Sequence, residues 1–466
     1  MSFAGQVKCI YIDPPYNTGN RDFVYNDRFV DREDSWRHSK WCEFMYQRLL
    51  LARDLYTQDG AIVVSIDDNE VFSLGLLMKR VFGKSAFVAN CIWQKRNSRY
   101  NNSAIGDSHE YLLVFARNAD EFKKTRNRLP VDDRTLKAFK NPNKHPRGPW
   151  NTVSFNATGL RPNQQYMIVA PNGKEHYPPE GRHWATLEPE FKRLSAEGHI
   201  YWGSDGTGVP RVIRFLDEVN GLVPWTWWPH EEVGHTGEAV QEIKHWLGRQ
   251  TAFSTPKPVR LIERVLRITC GPNDLVLEFF AGSGTTGHAA TKLNTEDGGT
   301  RRFILVSNTE ATADEPEKNL CRDVCAERVR RVMNGYKNAD GETVPGLGGD
   351  FAYLRTRRIP VGSLLEIEHS QVWTALQLAH RDTLMPFTEA PYLWAGDENE
   401  AICYVPRFRK ADAPALRKAV QASTAVTLYS WQPQFVRQHV PAPHVTHLPI
   451  PETLALRFGI HKGGNR

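Results

Sequence analysis

The sequence predicts an α/β protein with a mainly parallel sheet, and three observations support that prediction. Short apolar runs alternate with longer stretches of helical period, several runs end in acidic residues, and a glycine loop follows one of them. The first segments in chain order are a strand over 6–13, a helix over 35–57, a strand over 61–68, a helix over 69–83, and strands over 87–94 and 110–117. This order is typical of α/β folds.

The same pattern returns in the second half of the chain. A helix over 255–268, with prolines near its start, precedes a strand over 275–280, a glycine loop, another helix and a strand over 302–308. Between the two halves, residues 119–250 are rich in Pro, Gly, Asn and Trp and show no sustained period. They predict a separate inserted module. A linker over 338–350 then precedes a smaller mixed segment.

Composition narrows the class of protein. The chain has 466 residues, 40% of them hydrophobic, and no apolar run approaches the roughly 18 residues of a membrane span. The first residues lack the basic and apolar regions of a secretory signal. Seven scattered cysteines indicate free thiols in a reducing compartment, so we expect a cytoplasmic protein. Cys321 and Cys325 have no second Cys/His pair at zinc spacing, so we expect no metal.

The distribution of charge favours a polyanionic partner. The net charge of +6 and the pI of about 8.8 are weak indications by themselves. However, the basic residues concentrate at 94–102, 123–128 and 354–358, and Trp93 and Tyr100 lie near the first cluster. Solvated surface loops would explain one such cluster. Three clusters with aromatic neighbours make a nucleic-acid partner as good an explanation as solvated loops.

The stretch LVLEFFAGSGTTGHAA, residues 275–290, predicts a ligand-binding loop. Gly282 and Gly284 let a ligand approach the backbone closely, and a helix starting near Thr285 points its positive end at the loop. The next strand leads to Glu310, an acid placed to bind ribose hydroxyls. The spacing matches neither Gly-x-Gly-x-x-Gly nor a P-loop. A nicotinamide nucleotide and S-adenosylmethionine both fit, and the aromatic-Ala-Gly-Ser-Gly-Thr-Thr form favours the methyl donor.

Two motifs together resemble a known family. DPPYNTG at 13–19, followed much later by FFAGSGTT at 279–286, is similar to the β-group of DNA amino-methyltransferases, in which the catalytic motif precedes the cofactor motif. Further stretches resemble the modification (Mod) subunits of type III restriction–modification systems. They are FMYQRLLLARDL, GAIVVSIDDNEV, NTVSFNATGLRPN, STPKPVRLIERVL and AERVRRVM. The resemblance covers residues 7 to about 335.

The resemblance implies an S-adenosylmethionine-dependent methyltransferase (Rossmann-like) sheet with a circularly permuted motif order. The implied domains are the catalytic half of the methyltransferase domain at 1–118, an inserted target-recognition domain at 119–250, the cofactor-binding half at 251–337, and a small C-terminal α/β or α+β domain of unknown role at 351–466. Ligands bind past the carboxyl ends of strands in open α/β sheets. If the strand ending at Asp13 lies beside the strand ending at Phe279, both loops therefore face one crevice.

The resemblance assigns the chemistry to Asp13, Pro14, Pro15 and Tyr16. Hydrogen bonds from an exocyclic base amine to the Asp13 carboxylate and the Pro14 carbonyl would localise the nitrogen lone pair and aim it at the methyl group. Tyr16 would stack on the base once it is flipped from the duplex. Because proline fixes φ, the acid and the ring are positioned in advance.

The resemblance also implies a donor site and a recognition surface. The residues of the donor site would be Lys257, Glu278, Phe280, Gly282, Gly284 and Glu310. Glu310 would take the ribose hydroxyls, Lys257 would lie near the methionine end, and Glu278, where the family has Asp, would meet the donor's amino group. In the inserted module, Arg161, Asn163 and Gln164 have side chains of the types that read base edges in DNA.

We therefore predict a sequence-specific enzyme that methylates adenine N6 in duplex DNA within a restriction–modification or defence system. Cytosine N4 is the alternative target, and a non-catalytic DNA-recognition subunit is the alternative role. The family carries a further strand and a Gly-Asp turn, which helps hold the donor's adenine, before the catalytic strand. Few residues precede Val7, so we expect the sheet to lack that edge strand and the cofactor pocket to lack one wall.

The expected partners follow from the same resemblance. Double-stranded DNA is the substrate, and no membrane is involved. No Walker motif or nuclease acid cluster occurs in the sequence, so DNA cleavage would need a separate helicase-nuclease restriction subunit. By analogy with Mod subunits, we expect a homodimer.

Overall fold

A computed structural model gives the architecture of the chain. It describes residues 3–19, 24–25, 28–99, 104–142, 144–247, 253, 255–311, 315–356, 359, 363, 366–381 and 383–458. Tyr100 and residues 357–358, which belong to two of the basic clusters, lie outside the described residues. Within the described part, no helix is both long and apolar enough to cross a membrane.

The described residues alternate between short strands and helices. The strands are β1 (Val7–Ile12), β2 (Val24–Tyr25), β3 (Arg28–Phe29), β4 (Tyr56–Ile66), β5 (Phe87–Gln94), β6 (His109–Ala116), β7 (Trp150–Ser154), β8 (Asn156–Thr158), β9 (Ile168–Val169), β10 (Glu175–His176), β11 (Arg182–Trp184), β12 (Ile200–Tyr201), β13 (Arg211–Phe215), β14 (Trp227–Trp228), β15 (Leu275–Glu278), β16 (Arg302–Leu305), β17 (Gly335–Lys337), β18 (Thr343–Pro345), β19 (Leu393–Gly396), β20 (Glu400–Val405), β21 (Ala425–Ser430) and β22 (Val445–Pro449). The α-helices are α1 (Arg37–Arg53), α2 (Val71–Phe82), α3 (Ala119–Thr125), α4 (Asp133–Ala138), α5 (Glu188–Ala196), α6 (His230–Val233), α7 (Thr236–Leu247), α8 (Val259–Thr269), α9 (Thr285–Asp297), α10 (Glu327–Asn334), α11 (His369–His380), α12 (Ala413–Ala419), α13 (Pro433–His439) and α14 (Ile450–Phe458).

The central sheet has the strand order β14-β5-β6-β4-β1-β15-β16. Its neighbours pair in parallel except at β6, which runs antiparallel to both β4 and β5. This confirms the predicted mainly parallel α/β sheet. β1 lies between β4 and β15, with Ile10 opposite Ile62 on one side and Leu277 on the other. The adjacency expected for the two motif-bearing strands is therefore present.

Helices cover both faces of this sheet. In α1, Trp41, Met45 and Leu49 recur every four residues and are fully buried in the core on one face. On the other face, α8 buries Leu261 and Val265 in a second core. Because both faces are covered, β1 and β15 consist almost entirely of buried residues and do not alternate apolar with polar positions.

The inserted module has a small core of its own, formed by strands β7, β12 and β13 and helix α5. Phe155, Trp184 and Phe191 lie in its centre. The end of the module differs from the predicted range 119–250, because β14 returns to the edge of the central sheet and Trp228 is buried in the central core. Composition marks where the chain leaves the sheet. It does not mark the return, because the returning segment is equally rich in Pro and Trp.

The carboxyl-terminal part is a second α/β unit. Its sheet has the order β19-β20-β21-β22, with β20, β21 and β22 parallel and β19 antiparallel. Trp373 of α11 and Leu454 of α14 pack on one face, and Leu416 of α12 and Val436 of α13 pack on the other. Of the two classes that we expected for this segment, the structure has the α/β class.

Two local expectations are wrong. The segment 338–350 is not only a linker, because β18 pairs with β17 as a hairpin. Gly346 allows a close backbone contact after the hairpin: a side chain there would collide with the backbone of Met333 and Asn334. The strand predicted over 302–308 also ends early, at Leu305, although the backbone of Val306 still bonds to Glu278 and Ala281.

We expect Leu428→Ala to destabilise the carboxyl-terminal unit alone. Leu428 is fully buried in β21, and such truncations cost about 2–5 kcal/mol of unfolding free energy. Thiol labelling in urea can report each core separately, because Cys403 is buried in this unit and Cys9 in the central sheet. The urea midpoint for labelling of Cys403 should fall, and the midpoint for Cys9 should stay. Thr427→Ala is the control, and an equal fall at Cys9 would contradict separate cores.

Candidate active site

The DPPY motif lies immediately after β1, in a loop that is neither helix nor strand. Pro14 is buried, whereas Asp13 and Tyr16 are partly exposed. The indole Nε1 of Trp41 donates a hydrogen bond of 2.7 Å to the Pro15 carbonyl. Helix α1 therefore holds the loop from behind, while the two prolines restrict its φ angles.

Asn17 fixes the turn that follows the motif. It is fully buried and has a φ of 58°, in the left-handed region that Asn tolerates. Its Nδ2 donates to Glu70 Oε1 at 2.6 Å, and the same oxygen lies 2.6 Å from His38 Nδ1. Glu70 directly precedes α2. Helix α1 and the residue before α2 thus contact the loop at Pro15 and Asn17.

Four side chains from three parts of the chain meet at the front of this loop. The Tyr16 hydroxyl lies 2.9 Å from Asp13 Oδ1 and 2.9 Å from Glu110 Oε2. Lys257 Nζ donates to the Tyr16 hydroxyl at 2.9 Å and lies 3.0 Å from Asp13 Oδ1 and 3.3 Å from Glu110 Oε2. We call Asp13, Tyr16, Glu110 and Lys257 the acceptor cluster.

Burial and charge together set the protonation of the acceptor cluster. Burial raises the pKa of Asp13, and the Lys257 ammonium opposes that rise without cancelling it. Burial and the nearby carboxylates raise the pKa of Tyr16 well above its ordinary value, so its hydroxyl stays a donor. Burial lowers the pKa of Lys257, but the charges of Asp13 and Glu110 outweigh burial and raise it overall. The cluster therefore holds a charged lysine against two carboxyl groups.

The glycine loop lies beside this cluster, after β15. Gly282 and Gly284 have φ angles of 47° and 76°, which favour glycine. A Cβ atom on Gly282 would lie 2.9 Å from the Phe253 ring, and one on Gly284 would lie 2.9 Å from the Cys325 carbonyl oxygen. Both positions therefore exclude side chains, and α9 begins at Thr285 as the sequence predicted.

A buried arginine donates hydrogen bonds to two hydroxyl groups of the glycine loop. Arg328 of α10 is fully buried and donates to Thr285 Oγ1 at 2.7 Å and to Ser283 Oγ at 3.2 Å. Burial lowers the pKa of Arg328 to about 10, with Glu242 opposing that shift from 3.6 Å. The guanidinium remains charged at neutral pH and fixes two hydroxyls of the loop.

Glu278 is the acid that the sequence assigned to the donor site. It is the last residue of β15 and is 4% exposed, and its Oε2 has no hydrogen-bond partner among the described residues. Burial raises the pKa of Glu278 to about 8 and the charge of Asp13 adds to the rise, whereas the Thr286 side chain, Arg328 and Lys257 oppose it. Two acids at the ends of neighbouring strands thus have different protonation: Asp13 contacts a cation, and Glu278 retains its proton near neutral pH.

The other two side chains predicted for the donor site, Phe280 and Glu310, lie in different parts of the structure. The Phe280 ring packs against Phe44, with ring centroids 5.8 Å apart. Glu310 is exposed in the loop beyond β16, has a φ of 52°, and pairs with Lys318 at 3.4 Å. Glu310 is therefore not at the strand end where the sequence placed it, and its role toward ribose stays a prediction.

Comparison with known proteins adds the family. A family model described as DNA methylase matches residues 7–314. The chain belongs to the DNA methylase family. The match runs from β1 through the glycine loop and into the segment beyond β16, so it includes both motifs and the module between them.

Among curated relatives of this DNA methylase, two Mod subunits are similar over most of its length. The type III restriction-modification enzyme StyLTI Mod subunit of Salmonella typhimurium is 32% identical over 84% of this chain and 63% of its own length. The EcoPI Mod subunit of Escherichia phage P1 is 32% identical over 66% of this chain and 55% of its own. The chain thus spans less than two thirds of either relative. Among solved structures, the PvuII DNA methyltransferase (cytosine-N4-specific) matches 73% of this chain and 88% of its own, with 13% identity and a TM-score of 0.34.

The structure of this DNA methylase brings together some of the residues that the motifs predicted for the site, and their roles stay a prediction. Asp13, Tyr16 and Lys257 meet, although Lys257 was expected at the donor's methionine end and its ammonium lies with the acceptor cluster. The sequence analysis missed Glu110 and Glu70, which sit in ordinary strand and helix patterns. Glu110 is 8% exposed and is the second residue of β6. In the sequence, the available signal was only that an acid stands next to an apolar run.

We expect Glu278 to make the stability of the protein depend on pH. Its pKa of about 8 in the folded protein exceeds the unfolded value of about 4.3. Between these values the folded chain keeps a proton that the unfolded chain has released, so stability falls as the pH rises. Glu278→Gln should flatten this fall in urea titrations at about pH 5 and pH 8. Glu121→Gln, at a side chain that is 45% exposed, should retain it, and an unchanged slope in Glu278→Gln would refute the assignment.

Proposed function

We propose that this chain transfers a methyl group from S-adenosylmethionine to adenine N6 in duplex DNA, as the modification part of a restriction–modification or defence system. The observation that carries the proposal is the parallel pairing of β1 with β15, which brings Asp13 and the glycine loop to one edge of the sheet. Membership of the DNA methylase family and the Mod names of similar proteins support it. Cytosine N4 remains the alternative target.

The residues of the donor side fit S-adenosylmethionine, which supplies the methyl group when bound. Glu278 offers a buried carboxyl whose Oε2 lacks a partner among the described residues, and the donor's ammonium would complete it. Gly282 and Gly284 keep side chains out of the loop that would receive the donor. Glu310 would bind the ribose hydroxyls of the donor, and Phe280 would line the donor site. Lys257 would act on the acceptor side, where its ammonium contacts Tyr16 and Asp13.

On the acceptor side, Asp13 and the Pro14 carbonyl would accept hydrogen bonds from the N6 amine. The lone pair of this amine is delocalised into the base ring, so the two bonds raise its reactivity and orient it. As the nitrogen forms its bond to the methyl carbon, the bond from that carbon to the donor sulfur would break, with its electron pair returning to sulfur. The nitrogen must lose one proton, and we assign Asp13 as the proton acceptor. Because burial raises the pKa of Asp13, it takes a proton more readily than an ordinary aspartate.

Tyr16 would hold the flipped base by stacking. A base inside a duplex cannot reach the crevice, so the target must first leave the helix. Lys257 Nζ donates to the Tyr16 hydroxyl at 2.9 Å and lies 4.9 Å from the ring centroid, at the hydroxyl end of the ring. The base would stack on a face of the ring. The hydroxyl bonds to Asp13 and Glu110 keep the ring in place.

The inserted module would read the DNA sequence. Arg161 and Asn163 are exposed and could reach base edges, whereas Gln164 is 8% exposed and belongs to the packing of the module. We therefore assign the recognition of base edges to Arg161 and Asn163 and not to Gln164. Phosphate contacts would come from the surrounding basic residues.

The proposed setting is a cytoplasmic homodimer that acts on duplex DNA together with a helicase-nuclease subunit. All seven cysteines are free, which is consistent with a reducing compartment. The names of the similar Mod subunits support the association with a restriction–modification system.

We expect Asp13→Asn to reduce methyl transfer by at least about 100-fold, because an amide cannot take the proton from N6 and offers a weaker acceptor. Transfer of a radiolabelled methyl group from S-adenosylmethionine to duplex DNA measures this loss. Nuclease digestion and chromatography then identify the labelled base.

Asp68→Asn is the matched control, because Asp68 is an exposed acid just beyond β4 whose carboxylate accepts from Tyr111. It should transfer methyl groups at the wild-type rate. Label on cytosine would replace the adenine assignment with N4 methylation. Specific DNA binding by the wild-type chain with no transfer at all would indicate a recognition subunit and end the enzyme proposal.

A further inference from the structure

We propose that Glu110 is a positioning residue for the reaction: it shares the ammonium of Lys257 with Asp13, and thereby leaves Asp13 one carboxylate oxygen for the target amine. The inference rests on the proposed function of Asp13 and extends it to a residue outside both motifs. Glu110 acts through Lys257 and Tyr16, so it need not touch the base.

The geometry of the acceptor cluster shows the sharing. Lys257 Nζ lies between the two acids, 3.0 Å from Asp13 Oδ1 and 3.3 Å from Glu110 Oε2. The Tyr16 hydroxyl is 2.9 Å from the same two oxygens. A hydroxyl has one proton and can donate to only one of two acceptors at a time, whereas an ammonium has three. Both donors are therefore divided between Asp13 and Glu110.

Both donors reach the same oxygen of Asp13. Because Lys257 and Tyr16 contact Oδ1, we assign Oδ2 to the N6 amine. Without the Glu110 carboxylate, both donors would turn fully to Asp13. The aspartate would then be a one-to-one ion pair with lysine, with a lower pKa and a weaker capacity to accept the amine proton.

Burial makes this division of charge consequential. The side chains of Lys257 and Glu110 are 8% and 11% exposed, and that of Asp13 is 20% exposed. Water cannot replace a missing partner there, so removing one carboxylate strengthens the remaining pair. Lys95 Nζ, 3.4 Å from Glu110 Oε1 and 2.9 Å from Asp107, compensates the second acid. A second ammonium thus contacts Glu110 on the side away from Lys257.

Other charged or titratable groups also face this site and must be considered in a pH experiment. They are Tyr11 on β1, Asp67 after β4, Lys95 after β5, Asp107 before β6, Glu278 on β15 and Arg328 on α10. Tyr11 bonds the Ser65 hydroxyl at 2.8 Å and keeps its proton. Assigning the titration to Asp13 therefore needs a probe of that residue alone.

The test is a titration of the Asp13 carboxyl in Glu110→Gln, which has the same shape as wild type but no charge. Carbon-13 resonances of labelled aspartate report each carboxyl, and the resonance missing from Asp13→Asn identifies Asp13. We expect its midpoint to move to lower pH in Glu110→Gln and to lie nearer the wild-type value in Glu110→Asp. An unchanged or higher midpoint in Glu110→Gln would overturn the proposal.

A double-mutant cycle separates charge sharing from simple repulsion between the two acids. In a Lys257→Met background, Glu110→Gln should shift the Asp13 midpoint less than it does with lysine present, because there is no ammonium to redistribute. An equal shift in both backgrounds would mean that Glu110 acts only as a like charge, and the sharing proposal would fail.

Methyl transfer provides the functional readout. In single-turnover reactions, Glu110→Gln should slow transfer roughly 10- to 100-fold and move the acidic limb of the pH profile downward, whereas Glu110→Asp should recover part of the rate. A wild-type rate with an unmoved limb would contradict the positioning role. The aspartate titration needs neither donor nor DNA. If the wild-type chain transfers no methyl group, the proposed function fails while the titration still decides whether Lys257 is shared.

Discussion

The pairing of β1 with β15 is the constraint on which the rest of the site depends. Ile10 lies opposite Leu277, so two segments far apart in the chain end at one edge of the sheet. Because both strands are buried on both faces, their register is fixed by packing: a slip by one residue would turn each side chain to the opposite face. The positions of Asp13 and Glu278 therefore follow from the hydrophobic core.

The balance of charges at that edge follows from the same burial. Buried ions are costly unless they are paired, and the acceptor cluster provides the pairing through Lys257 and Lys95. Glu278 is more deeply buried, and burial keeps its proton on near neutral pH. Neighbouring strand ends thus hold one carboxyl that contacts a cation and one that is protonated. Such a separation of pKa values is how a fold gives two acids different tasks.

Much of the fold and part of the site could be predicted from the sequence. Continuous apolar runs gave β1 and β15, a four-residue repeat gave α1, and the two motifs gave Asp13 and the glycine loop. Glu110 could not be predicted, because the acids of such a site are expected at the ends of strands, whereas Glu110 lies at the start of β6. That strand runs antiparallel to β4, so its first residues reach the edge where the parallel strands end. Only the direction of pairing, which the run HEYLLVFA does not reveal, places Glu110 beside Tyr16.

Asn17 and Glu70 were missed for a related reason, since neither residue type is unusual where it stands. Their importance comes from a contact that depends on how α2 is placed against the catalytic loop. The inserted module over 119–250 stays a prediction from composition, and within that range Trp228 pairs with Trp93 at the edge of the central sheet.

Lys257 links the two halves of the site more directly than either motif does. Its carbonyl oxygen accepts from Thr285 Oγ1 at 3.3 Å, at the start of the helix that follows the glycine loop, while its ammonium contacts Tyr16 and Asp13. One residue between two prolines therefore touches both loops. Proline restricts the backbone on each side, so the distance between the loops is held by a short, stiff segment. Transfer of a small group requires its donor and acceptor at a fixed separation, and this contact supplies that constraint independently of the sheet.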